Sequence, residues 1–195
     1  MIKVENSKIV LNERELKARL HGADDSETIK LVEAYKDSVL DAMNCMAVIK
    51  ESEVFLYDDG CDLGFGFIPS RNLRRNLEGC EKAYVFAATI GHDVDRILRN
   101  AAVTSTARHF ITDAVASAAV EALCDYIQES VPETTKARFA PGYGDFDLSF
   151  QEKLLEYVNG EKIGISLSSS SLMNPMKTVT AIMGIKNEDN RSDKK

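Results

Sequence analysis

Ala83-Tyr84-Val85-Phe86-Ala87-Ala88 decides the fold, because it is a continuous apolar run with no polar interruption. A run this short and this uniform predicts a central strand buried on both faces. Downstream, Thr89-Ile90-Gly91 leads into a helix from about Asp93 to Ala102. A long helix follows from about Thr106 to Val131, and Pro132 stops it, since the residue before a proline is pushed out of the helical region. Upstream, Met46 to Tyr57 is rich in strand formers and bends at the polar Lys50-Glu51-Ser52, which predicts two strands or one irregular ribbon.

Further from this centre the signals stay local. Val4 to Leu11 predicts a short edge strand, and Asn12, with Glu15 three residues on, predicts a capped helix through about Leu20. His21 to Asp25 breaks the chain. Val32, Tyr35, Val39 and Met43 place one buried stripe on a helix from Ser26 to Met43. Gly60, Gly64 and Gly66 punctuate a turn and a strand; Phe67-Ile68-Pro69 comes next rather than a helix start, so no phosphate cradle is offered. Ser70 caps a short helix through Leu77. The closing third predicts a helix from about Ser149 to Asn159 and two half-buried strands, one through Ile163, Ile165 and Leu167, one through Val179, Ala181, Met183 and Ile185. Strands and helices do not alternate as βαβ units, so the expected class is α+β, a mixed or antiparallel sheet flanked by helices. Residues 1–186 read as one domain, and the polar run from Asn187 to Lys195 as a disordered tail.

Composition narrows the function classes. A formal net charge of −7 leaves no broad basic surface for nucleic acid; Arg71, Arg74 and Arg75 lie beside Glu78 and Glu81 as a solvated helix face. The apolar stretch from Ala114 to Cys124 is too short for a bilayer, and the first residues lack the apolar core of a secretion signal, so a cytoplasmic protein is expected. Cys45, Cys61, Cys80 and Cys124 form no close pair, and His21, His92 and His109 are scattered, which argues against a zinc site and for reduced thiols. No Ser, His and Asp grouping at a turn suggests a hydrolase.

Two features could carry chemistry. In the long helix, from Ala114 to Cys124, only Ser117 and Glu121 interrupt small apolar residues, four apart on one face. A carboxylate there needs a cation or several donors, which makes it either a structural ion pair or one wall of a groove. The second feature is Arg138-Phe-Ala-Pro-Gly-Tyr-Gly-Asp-Phe-Asp-Leu-Ser-Phe-Gln151. Arg138 offers a planar fork for a carboxylate, Tyr143 a flat amphipathic surface, and Gly142 and Gly144 a turn open to close approach. The same run also reads as a tight turn that tucks Phe139 and Phe146 into the core.

The string RFAPGYGDF, with Ala119 to Tyr126 before it and LMNPMKTVTAIMGI (Leu172 to Ile185) after it, resembles the activation domain of cobalamin-dependent methionine synthase, and most closely its short free-standing relatives. FAATIGHDVDR, Phe86 to Arg96, fits those relatives too; the resemblance runs from about Asn72 to Ile185, and residues 1–70 match weakly. It implies an α+β domain that binds S-adenosylmethionine in a shallow groove. It further implies docking on a cobalamin-binding protein or domain, with a flavodoxin-like electron donor, so that cob(II)alamin is reduced and remethylated. By position, Arg138 would hold the methionyl carboxylate, Glu121 would face the cationic end, and Ala140, Gly142 and Tyr143 would line the pocket. Gly144-Asp145-Phe146 departs from the proline and cysteine stretch of the synthase, and no tyrosine follows Tyr157. The chain would thus be part of a methyltransferase system acting in trans and not a complete enzyme. The alternative is a docking or scaffold partner of a corrinoid protein that has lost the ligand.

Overall fold

In a computed structural model, which describes residues 1–21 and 26–187, the apolar run becomes β6 (Lys82–Thr89), flanked on both sides in one antiparallel sheet. The chain order is β1 (Ile2–Lys3), α1 (Glu13–Arg19), α2 (Ser26–Ala42), β2 (Met46–Glu53), β3 (Phe55–Leu56), β4 (Cys61–Asp62), β5 (Phe67–Ile68) and α3 (Arg71–Asn76), then β6. After β6 come α4 (His92–Thr104), α5 (Thr106–Ser130), α6 (Phe150–Val158), β7 (Ser166–Leu167), β8 (Met173–Asn174) and β9 (Thr178–Gly184). The main sheet has the order β1-β2-β6-β9, and every pairing is antiparallel. The fold is therefore α+β with an antiparallel sheet, as the sequence predicts.

Alternation along β6 divides the core. Tyr84, Phe86 and Ala88 face one side and pack with α1, α2, α4 and α5; Ala83, Val85 and Ala87 face the other and pack with α3, α6 and the β3-β4-β5 sheet. A side chain as fully buried as Phe86 contributes about 1.5–3 kcal/mol by leaving water. The caps read from sequence are formed: Asn12 accepts from the amides of Arg14 and Glu15, and Ser70 from that of Leu73. Glu15 does not complete a capping box; its carboxylate bonds Arg19 at 2.7 Å.

Three expectations need correction. The edge strand is only Ile2–Lys3, and Asn6–Lys8 forms a 3-10 turn instead, tied down by Asn6 Nδ2 donating to the carbonyls of Leu40 and Met43. Ile163 closes the 3-10 turn Gly160–Ile163, which follows Asn159 in left-handed conformation, so the strand there shrinks to Ser166–Leu167. The last strand is buried on both faces, not half-buried. Its outer edge is covered by residues 134–139, through Lys136 N to Gly184 O at 2.8 Å and reciprocal bonds between Phe139 and Ile182 at 2.9 Å. Of the break expected over His21 to Asp25, residues 22–25 lie outside the described residues, as do residues 188–195 of the expected tail. Among the described residues, no helix is long and apolar enough to cross a membrane, and no cluster of His, Cys, Asp or Glu could hold a metal ion.

Candidate functional site

The segment that covers β9 stops doing so after Phe139, where Pro141 and the glycines turn the chain away. A groove opens at that point between α5, the turn and the Val179 to Ala181 part of β9. It encloses about 540 Å³ and is lined by Glu121, Asp125 and Gln128 from α5, Ala137, Arg138, Ala140 and Tyr143 from the turn, and Val179 and Ala181 from β9. That volume falls within the range of small-molecule sites, roughly 300–1,000 Å³.

Arg138 and Glu121, predicted to converge, do so: Nη2 of Arg138 lies 3.1 Å from Oε2 of Glu121. Nη1 donates to Oδ1 of Asp125 at 2.7 Å and to Oε1 of Gln128 at 3.1 Å. Burial works against the charge of Arg138, but the Asp125 hydrogen bond and the surrounding negative groups outweigh it and hold the guanidinium above its ordinary pKa. One guanidinium thus balances two carboxylates, and the groove keeps an excess negative charge.

The turn owes its shape to its glycines. Gly142 has φ of +88° and Gly144 +58°, a region that costs L side chains strain, and a Cβ on Gly144 would collide with Nδ2 of Asn72. The amide of Gly142 donates to the carbonyl of Phe146 at 2.7 Å and that of Tyr143 to Ala140 at 3.1 Å. Gly142 therefore shapes the turn and is not among the residues lining the groove. Phe146 is buried and stacks with Phe139, so the turn also anchors the core. Tyr143 sets its ring edge-on to Phe139 at 5.7 Å and stays 72% exposed, a flat surface open at the groove mouth.

Asp145, where the sequence departs from the synthase pattern, has a structural partner. Its carboxylate accepts from Ser70 Oγ at 2.5 Å and from the amides of Arg71 and Asn72 at 2.9 and 3.1 Å. It is a second cap for α3 and clamps the turn to that helix; the Ser70 bond leads in holding its carboxyl below the ordinary value.

Sequence reasoning named Ser117 and Glu121 but missed the rest of their row. Asp113, Ser117, Glu121 and Asp125 recur every four residues along α5, and extending the spacing in both directions would have found the outer two. At the far end Lys177 Nζ donates to Asp113 Oδ1 and Ser117 Oγ, each at 2.8 Å. The carboxylate of Asp95 fixes the preceding backbone by accepting from the amide of Met176 at 3.0 Å. Gln128 carried no sequence signal.

Neither a protein-family model nor a curated protein sequence matches the chain. Among solved structures, the fold is similar to that in the crystal structure of the MetH reactivation domain bound to AdoHcy. The TM-score is 0.72 over 96% of this chain and 78% of that chain, at 14% identity. The class is therefore an activation-domain-like α+β fold.

Proposed function

We propose that this chain binds S-adenosylmethionine in the groove of Arg138 and acts in trans as an activation module for a cobalamin-dependent methyltransferase of the methionine synthase type. The observation that carries the reading is the meeting of Glu121 and Arg138 at the mouth of a groove, on a fold whose solved neighbour is bound to AdoHcy. The residues suit such a ligand. Arg138 would hold the methionyl carboxylate through paired N–H groups. The carboxylate of Glu121 would face the ammonium and sulfonium charges. Ala140, Val179 and Ala181 offer apolar contact, and Tyr143 a ring on which a base could stack. S-adenosylmethionine would supply a methyl group, and a flavodoxin-like donor one electron, for returning the partner's cob(II)alamin to methylcobalamin. The chain's own part is to bind, orient and shield; the hard chemistry belongs to the cofactor.

The second reading, a docking partner without ligand, is favoured by one feature: the Arg138 fork already has three protein acceptors. Calorimetric titration with S-adenosylmethionine separates the two. Micromolar binding that vanishes in Arg138→Ala supports the first reading, and no heat at millimolar ligand supports the second. Restored remethylation on adding the chain to a cobalamin-carrying partner tests action in trans.

A further inference from the structure

Arg138 spends both Nη1 donors on its own protein, one on Asp125 at 2.7 Å and one on Gln128 at 3.1 Å, while Glu121 takes Nη2. The acceptors are unequal. The Asp125 side chain is 51% exposed, against 34% for Glu121 and 21% for Arg138 itself. Asp125 sits at the outer end of the row, and among the described residues its carboxylate makes its one side-chain hydrogen bond to Arg138. A third carboxylate brought to a guanidinium that already balances two would meet net repulsion. Release of Asp125 into water is the least costly way to admit it.

From this geometry we infer that Asp125 is an internal competitor: it holds the place on Arg138 that a ligand carboxylate takes, and it sets the affinity of the groove for ligands with an α-carboxylate. The inference rests on the proposed S-adenosylmethionine reading. Because Asp125 is half exposed, its displacement is a modest effect, about fivefold in affinity at moderate salt.

The test compares the full chain with Asp125→Asn and Asp125→Ala by calorimetry. Two probes are titrated, AdoHcy and 5′-methylthioadenosine, which keeps the nucleoside but lacks the amino-acid end. The expected result is AdoHcy binding about fivefold tighter in both variants, with methylthioadenosine unchanged. If the wild-type chain binds AdoHcy and the variants bind it equally or more weakly, the inference fails while the proposed function stands. Equal tightening toward both probes also overturns it, since a general change of field or packing ignores the carboxylate. If no form binds AdoHcy at millimolar concentration, the proposed function fails and the inference with it.

Discussion

Arg138 bridges Glu121, Asp125 and Gln128 across the join between α5 and the turn, so it holds structure as well as offering a fork. Partly exposed pairs of this kind contribute little. A double-mutant cycle of Arg138→Ala with Glu121→Ala, read by urea unfolding, should return a coupling of about 0.5–1 kcal/mol. Loss of ligand binding in Arg138→Ala should therefore occur in a folded protein, which circular dichroism checks. Asp145 is the other telling residue. Its removal strips α3 of bonds to Ser70, Arg71 and Asn72, and Asp145→Ala should lower the melting temperature while Asp145→Asn recovers part of the loss. Because its folded pKa is depressed below 3.8, this contribution is present above that value and fades as pH falls through the lower folded value. A melting temperature for Asp145→Ala that matches the wild type at pH 7 would contradict the capping role.

At the scale of elements, α5 is the organising piece. Ala114, Ala116, Ala118, Ala119 and Ala122 are all buried and let α2, α4 and the sheet approach closely. Ala118→Leu should cost about 1–3 kcal/mol by overpacking, measured as a shift in urea midpoint at constant slope. Most elements were legible because their signals are local: an apolar run for β6, side-chain caps at Asn12 and Ser70, a proline after α5. The failures share a physical cause. Ile163 and Ile165 alternate like a strand, but Asn159 in left-handed conformation starts a 3-10 turn that local alternation cannot register. Burial of β9 on both faces depends on the two core layers, with Ala181 and Met183 in one and Ile182 in the other, and its outer edge is covered by residues 134–139 arriving from elsewhere in the chain. In the site, Glu121 and Arg138 stood out for residue type and setting. Asp125 was within reach of the same four-residue spacing but lies beyond the alanine stretch, and Lys177 gave no signal because only the fold brings it to the row.

Across the whole molecule all four cysteines are buried: Cys45, Cys61 and Cys124 sit in the two cores at 0% exposure, and Cys80, outside both, is 5% exposed. Burial raises Cys45 to about 11 and Cys61 and Cys124 to about 12, from an ordinary 9.0. A thiol with a raised folded pKa contributes stability that is full below 9 and is lost as pH rises through the folded value. Tyr84, raised to about 12 from 10.0 by burial and then by its bond to Glu133, acts in the same direction. Stability should thus hold near neutrality and fall steadily above about pH 9, seen as a declining urea midpoint. A thiol-reactive dye should label none of the cysteines in the native protein and all four once urea unfolds it.

In the proposed function the groove between α5, the proline-glycine turn and β9 receives the amino-acid end of S-adenosylmethionine. A crystal structure of the chain with S-adenosylmethionine tests it most directly. The methionyl carboxylate is expected within hydrogen-bond distance of the Arg138 guanidinium, with the adenosine end toward Tyr143. Ligand bound elsewhere on the molecule, or an empty groove at saturating concentration, would contradict it.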